Sequence, residues 1–595
     1  MTRLIYFISI ILATVFMVSC EELELGDAAL EQPPTISVNK DTVFSKLDYA
    51  ERFLFGAYNT LPYGLNTNWS AKGDKLGMDI LEGLSDLCHS YLAWGGVNQL
   101  YYNGQYAAGT ENSSSKTKYH FTKEGSWNGI RKGWIFIENA SKIPDGEASY
   151  IKQLVAEAKM IIALHYTDMF RHYGGLPWVD HAYDPSETTE LARSTAKETV
   201  DNIVALIDEA TVDLPWNIED LSNWDGRFTK AAAMGLKARL LLFAASPLFN
   251  DDQPYLDGTA AQEKLVWFGA KDASLWNEAA TAAEALITEV ESKGGYGLVN
   301  SGNPRQDFQD AYYKRGNGEL LISTRVRYQS PSWWSGSYYF YQSAGNYGTS
   351  CPTQEYIDMF EMADGKDIND PDSGYDVQDP YANRDPRLYE TVMVNGDTYQ
   401  GRTVELWIGG RERKNTNWKG IKTGYGLRKF LLERNNSTSV NSVVQWPYLR
   451  LAEIYLSAAE ALNEANAGPT AKAYEYVNKI RSRVGLGNLK PGLSQVEFRE
   501  AVLEERAKEF GWEEVRWFDL VRWKREADFT KTLHGTNITK KNGGQPAVPA
   551  NLNYSLFELP ERYWKKNWSP KWFLSAFPPD EVNKGYGLVQ NPGWE

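Results

Sequence analysis

The feature that most limits what this chain can fold into is a run of helix-period segments between residues 149 and 291, resumed between 446 and 526. In "SYIKQLVAEAKMIIALHYTDMF" (149–170), Ile151, Leu154, Val155, Ala158, Ile161, Ile162, His165 and Met169 recur at three- and four-residue steps, forming a broad apolar helix face. "TAKETVDNIVALIDEATVDLP" (195–215) repeats the pattern, with Thr195 and Glu198 at capping-box spacing. "TKAAAMGLKARLLLFAAS" (229–246) is apolar nearly all round, which predicts a buried helix, and "SLWNEAATAAEALITEVE" (274–291) predicts a fourth helix with Ser274 as its cap. Further on, "WPYLRLAEIYLSAAEALNEANAG" (446–468) and "TAKAYEYVNKIRSRVGLG" (470–487) predict a helical hairpin in which Leu451, Tyr455, Ala458, Ala459 and Leu462 face Ala473, Val477 and Ile480. Another helix is expected from the Ser494/Glu497 capping box to Phe510, followed by "EEVRWFDLVRWKRE" (513–526).

Alanine-rich helix pairs of this size permit close helix approach and point to a tetratricopeptide-like solenoid, a reading that rests on helix pairing because no strict repeat period is present. From 300 onward the texture changes. "GELLISTRVRYQ" (318–329) alternates as a strand does, and it leads into "SPSWWSGSYYFYQSAGNYGTSCP" (330–352), where aromatics crowd among serines and glycines with no regular period. Residues 364–425 are rich in Gly, Asp and Asn and read as long loops with short strands. The expected fold is therefore mostly α. A helical-hairpin scaffold (about 150–292 and 446–526) carries a loop-rich side (about 60–135 and 300–445) with a few short strands, all within one domain, 39–595.

A formal net charge of −15 argues against nucleic acid and anionic membrane surfaces as partners, since both demand a basic footprint. The cysteines are Cys20, Cys88 and Cys351, with no C-x-x-C pair, which excludes a disulfide-rich scaffold and a Cys-based zinc cluster. The six histidines include no H-E-x-x-H motif, and no Walker A, G-x-S-x-G or G-x-G-x-x-G stretch occurs. The acids of 364–374 are numerous enough for calcium but lack the EF-hand order of ligands, so a solvated loop is expected there and no cofactor elsewhere. Glu505, Arg506, Glu509, Arg516, Asp519 and Arg522, spaced around Trp512, Trp517, Phe518 and Trp523, read as ion pairs fixing one helix against its neighbours rather than as an acid/base centre.

The N-terminus, "MTRLIYFISIILATVFMVSCEELE", has the layout of an export signal: Arg3, an apolar stretch to Val18, then Ser19 before Cys20. Its ending resembles a lipobox, with Met17 where leucine is preferred. That resemblance implies cleavage after residue 19, lipidation of Cys20 and a tether over 20–38. Glu21, Glu22 and Glu24 resemble the surface-export signal of Bacteroidetes lipoproteins, which implies a lipid-anchored protein facing outward from the outer membrane.

Four stretches in order and spacing, "YLRLAEIYLSAAEALNEA", "VNKIRSRVGL", "LEERAKEFGWEEVRWFDLVRW" and "FPPDEVNKGYGLVQNPGW", together with "YGGLPWVD", "GRFTKAAAMGLKARLLLFAAS" and "ANRDPRLYETV", resemble the SusD/RagB family. The resemblance spans nearly the whole mature chain. It implies a non-catalytic surface lipoprotein that captures an oligo- or polysaccharide and works with a SusC-like TonB-dependent transporter. It also places ligand contact in the regions of Asp79, of Trp94 and Asn98, and of the 333–341 stretch. A sugar presents an apolar C–H face to an aromatic ring and hydroxyls to polar partners. The expected platform is Trp333 or Trp334 with one or more of Tyr338, Tyr339 and Tyr341, Phe340 anchoring the loop beneath, and Arg325 and Arg327 among the polar partners. A RagB-like peptide binder is the first rival reading and a surface glycoside hydrolase the second.

Overall fold

The computed structural model describes residues 39–595 apart from 66–75, 114–115, 123–124, 185, 188–190, 327–346, 414–419 and 432–444. Six helices follow one another as an array in which each packs on the next: α1 (Leu47–Tyr58), α2 (Ser126–Asn139), α3 (Ala148–Tyr173), α4 (Ala196–Asp213), α5 (Lys230–Ala245) and α6 (Ser274–Lys293). The array continues through α7 (Leu451–Ala465), which packs directly on α6, then α8 (Ala471–Arg483), α9 (Gln495–Phe510) and α10 (Arg516–Arg522). Residues 294–450 are thus an insertion between two neighbouring helices. This is the helical-hairpin architecture with a loop-rich side that the periodicity predicts.

Local chemistry explains the helix boundaries. Both capping boxes form: the Glu198 amide donates to Thr195 Oγ1 (3.1 Å) and the Thr195 amide to Glu198 Oε2 (2.9 Å), while Ser494 and Glu497 exchange the same pair of bonds. Helix α3 stops at Gly174, whose φ of 80° only glycine adopts readily and whose N–H closes on the Phe170 carbonyl at 2.9 Å. Ser274 departs from expectation. It is the first residue inside α6, and its N–H and hydroxyl both donate to Asp272 Oδ1 (2.9 and 2.6 Å), so Asp272 supplies the oxygen that a capping serine would. Helix α5 is buried all round because α4, α6, α7 and a strand surround it.

Two boundaries differ from the periodicity reading. Residues 126–139, read with the loop-rich side, form α2 within the array. Residues 446–450, read as the first turn of the 446–468 helix, belong instead to a strand. Strand β1 (Cys88–His89) pairs antiparallel with β3 (Cys351–Pro352), and β2 (Leu320–Arg325) with β4 (Gln445–Arg450). Pro447 lies opposite Ser323 and holds Trp446 extended, since the ring of a proline disfavours helical geometry in the residue before it. All six residues of β4 are buried, and Trp446 stacks on Phe430 at 5.7 Å. The ladder lies against α5 at Gly235, where an added Cβ would come within 2.9 Å of Leu321 and 3.0 Å of Leu449.

A buried charge network fastens the insertion to the array. Arg450, at the end of β4, donates to Glu319 Oε1 (2.6 Å), Glu509 Oε1 (2.9 Å) and both oxygens of Glu513 (2.8 Å each). Arg483 on α8 bonds the same Glu319 and Glu509, and Arg387 pairs with Asp385, Glu505 and Glu509. On the far side of α9, Arg506 bonds Asp519, and Arg522 bonds Asp519 and Glu460. The conspicuous charges of 505–522 are therefore spent in ion pairs that fix this segment to its neighbours, as expected. In the 364–374 loop the positive charge comes from Lys366, 3.0 Å from Asp372, and no group of three candidate metal ligands exists among the described residues.

Candidate functional site

The surface that carries Trp94 and Asn98 is built from "LGMDILEGLSDLCHSYLAWGGVN" (76–98), a segment with three buried acids that meet three different fates. Asp86 accepts from Arg516 Nε (2.9 Å), Arg516 Nη2 (2.8 Å) and Lys531 Nζ (2.8 Å). Burial alone would favour its neutral form, but the Arg516 guanidinium and Lys531 ammonium outweigh that and hold its carboxyl well below the usual range. Glu82 accepts the Glu514 amide at 2.7 Å; burial, followed by the Glu514 carboxylate nearby, pushes it up to about 8. Asp79 is 1% exposed, and burial pushes it up to about 7 against the opposing pull of its hydrogen bonds and of Lys116.

Asp79, expected among the ligand contacts, is thus placed beneath the surface rather than on it. One carboxylate oxygen accepts from the Ser90 hydroxyl and the other from the Val97 amide at 3.0 Å, so the side chain holds the two ends of the loop that displays Trp94. Two glycines make this possible. A Cβ on Gly95 would lie 2.0 Å from Asp79 Oδ2, and one on Gly96 would lie 2.3 Å from the Lys116 carbonyl. The Lys116 ammonium reaches back to the Trp94 carbonyl (2.8 Å) and to Gln99 Oε1 (2.6 Å). After Gly96 the chain enters a π-helical turn, Val97–Tyr102, a rare geometry that is frequent at functional sites. Asn98 on that turn is half-buried and donates through Nδ2 to the Ser90 carbonyl at 2.8 Å.

The β1–β3 pair brings a second aromatic to Trp94. Beyond its two-residue ladder the Tyr91 amide donates to the Gly348 carbonyl at 2.9 Å, and there Tyr347 meets Trp94 edge to face, with ring centres 5.6 Å apart at 71°. Met78 and Leu92 are buried beneath the two half-exposed rings. Tyr347 belongs to the 330–352 aromatic stretch and is the first residue described after 346; its role was missed in the sequence because the partner is remote. The signal that could have revealed the loop is "WGG", two glycines directly after an exposed ring, which marks close backbone approach.

Arg325 belongs to another neighbourhood. Its Nη2 lies 3.0 Å from Asp225 Oδ1, and Arg315 grips the same carboxylate, so Arg325 is committed to Asp225 and does not join Trp94 and Tyr347. Trp333, Trp334, Tyr338, Tyr339, Tyr341 and Arg327 lie outside the described residues, as does Cys20. Cys88 and Cys351 are buried free thiols.

The two raised carboxyls give a pH test of the platform. Each binds its proton more tightly folded than unfolded, so their stabilising contribution is full below the unfolded values near 4 and is lost as pH rises through about 7 for Asp79 and about 8 for Glu82. The thermal midpoint is expected to fall between about pH 5 and about pH 8, and Glu82→Gln, which keeps the acceptor but cannot ionise, to flatten that fall. Equal slopes in the two proteins would remove Glu82 as its source.

Comparison with known proteins adds to this geometry. A family model described as the SusD family matches residues 322–594, and a second, described as starch-binding associating with outer membrane, matches 84–242. Among curated proteins, SusD-like protein P2 of Formosa agariphila is 26% identical over 441 residues, covering 71% of this chain and 73% of the relative. SusD-like protein P25 of the same organism is 42% identical over 153 residues, 23% of this chain and 29% of the relative. Among solved structures, a SusD-like protein from Bacteroides fragilis superposes with a TM-score of 0.70 at 24% identity, over 93% of this chain and 98% of the other. Surface glycan-binding protein A from Bacteroides fluxus does so with a TM-score of 0.57 at 18% identity, over 92% and 100%. At such identities the structural likeness is one of fold. With the two family models falling on separate stretches, one on the Trp94 platform and the other on the insertion and C-terminal helices, the chain belongs to the SusD-like family.

Proposed function

We propose that this chain is a non-catalytic, glycan-binding lipoprotein of the outer cell surface, anchored by lipid at Cys20, which captures an oligo- or polysaccharide and passes it to a SusC-like TonB-dependent transporter. The observation that carries the reading is the Trp94–Tyr347 pair. Two half-exposed rings are held at a fixed angle by a frame of buried hydrogen bonds, and Tyr347 follows in the chain a stretch whose sequence holds five further Trp and Tyr candidates. A rigid aromatic surface with an amide beside it, Asn98, fits a pyranose ring: the C–H face lies on the rings, and the Asn98 carbonyl oxygen is the end left to accept from a hydroxyl. Two or three such contacts, each worth roughly 1.5–3 kcal/mol before ordering costs, correspond to affinities on the order of millimolar to micromolar, which suits capture followed by release.

The non-catalytic part of the reading is supported by the fate of the acids. Asp79 and Glu82, pushed up to about 7 and about 8, lie near neutrality, where a general acid would operate, yet both are buried and hydrogen-bonded inside the platform. Calorimetry against a panel of soluble polysaccharides and peptides is the test. Binding of a polysaccharide with no release of reducing ends supports the proposal. Binding of peptides alone would replace it with a peptide-uptake reading, and release of reducing ends with an enzymatic one.

A further inference from the structure

Trp224 is, among the described residues, the one tryptophan left exposed, at 41%, and its neighbour Leu221 is 46% exposed. Both lie on a one-turn helix, Leu221–Trp224, in the connection between α4 and α5. The ring is not a loose surface side chain. Phe55 packs against it with centres 5.7 Å apart at 36°, and the Arg227 guanidinium carbon sits 5.5 Å from its centre. Arg227 is itself fixed, donating through Nε and Nη2 to Glu157 (3.1 and 2.6 Å) and through Nη1 to the Tyr150 hydroxyl (3.0 Å). An almost fully buried ion pair therefore supports an aromatic ring that faces solvent.

Arg227, which packs on this ring, and Leu221 on the same turn also line a recess of about 120 Å³, with Asn217, Tyr296 and Ser323 among its polar lining. Asp225, also in the lining, is held by Arg315 (2.9 Å) and Arg325 (3.0 Å), two guanidinium groups whose side chains are half and one-third exposed. Burial disfavours charge on Asp225, but these two cations prevail and keep its carboxyl below the usual range, so it stays an acceptor at neutral pH. A small hollow lined by an amide, hydroxyls and the Arg-held Asp225 carboxylate, joined to a fixed indole through Leu221 and Arg227, offers the kinds of contact a hydroxylated ring uses. Strand β2 ends at Arg325, so the stretch of chain after it leaves from this place and returns at Tyr347 beside Trp94.

We infer that Trp224 and this recess form a second sugar subsite, separate from the Trp94–Tyr347 platform, in which a pyranose ring lies on the indole and sets hydroxyls toward Asn217, Asp225 and Ser323. The ligand class rests on the glycan reading above; the position does not. The test uses the full chain with amylopectin, xylan and alginate as probes. Trp224 oxidation by N-bromosuccinimide is read by peptide mass spectrometry with and without each polysaccharide, and retention is measured by affinity electrophoresis for wild type, Trp224→Ala, Trp224→Tyr and Trp94→Ala.

The expected result is protection of Trp224 by whichever polysaccharide retards the wild type. Retention should weaken roughly three- to tenfold in Trp224→Ala and largely return in Trp224→Tyr. If Trp94→Ala loses retention while Trp224→Ala keeps it in full and Trp224 oxidises equally with and without glycan, the subsite is refuted and the proposed function stands. If no polysaccharide retards the wild type or protects Trp224, both fall together.

Discussion

Replacing Arg450 with Met is expected to destabilise the protein by about 3–5 kcal/mol, the cost of leaving buried carboxylates without their cation. Arg450 is fully buried and is, among the described residues, the one side chain that bonds Glu319, Glu509 and Glu513 together. Without it, among the described residues Glu319 keeps only Arg483 as a cation, Glu509 keeps Arg483 and Arg387, and Glu513 keeps Lys429, at 2.6 Å. A methionine fills much of the volume, so the loss reads charge rather than a cavity. The measurement is a denaturant titration followed by tryptophan fluorescence and by far-ultraviolet dichroism. Coincident transitions moved to lower denaturant by that amount would show that insertion and array unfold as one. A midpoint unchanged from wild type would mean that the remaining cations suffice and that Arg450 does not hold the network.

The second large effect is expected at Gly95. Because its Cβ would fall 2.0 Å from an Asp79 oxygen, Gly95→Ala forces either the loop or the carboxylate to move, and both support Trp94. Affinity for the polysaccharide bound by the wild type is expected to fall at least about tenfold, comparable to Trp94→Ala, although alanine removes no group that could touch a ligand. Calorimetry on Gly95→Ala, Trp94→Ala and the double variant separates the causes. If Gly95 acts through Trp94, the double variant is no weaker than Trp94→Ala alone. Wild-type affinity in Gly95→Ala would mean the frame around Asp79 tolerates the shift and does not set the ring's position.

The array was legible because a helix writes its buried face at three- and four-residue steps and its start in the residues that cap it; Thr195 and Ser494 needed no tertiary knowledge. Strand β4 was not, since Trp446, Tyr448 and Leu449 satisfy either period, and only pairing with β2 decides between them. The charge network was legible as a kind of interaction but not as a set of partners. Arg450 finds Glu319 131 residues away, and Arg387 finds Glu509 across 122, separations at which spacing carries no information.

At the site, Trp94 and Asn98 stood in a segment that the family resemblance marked, whereas Tyr347 reaches them through two two-residue strands too short to leave a pattern. Asp79 shows the converse difficulty. A carboxylate in a ligand region looks the same in sequence whether it faces the ligand or supports the loop that does.

The charged anchors of the insertion have an evolutionary consequence. Glu319, Arg387, Lys429 and Arg450 are each bonded to α8, α9 or the residues just beyond α9, so the chain from 319 to 450 is divided into spans whose ends are pinned at fixed points in space. Lengthening a pinned span costs little, about 0.6 kcal/mol for each doubling. A lineage could therefore exchange the ring-bearing stretch between β2 and β3 for one of another length and chemistry while the pinned points on either side of it stayed as they were. Cargo preference would then drift quickly over a body that changes slowly, and binding tastes among such proteins would be poorly forecast by similarity in their helices.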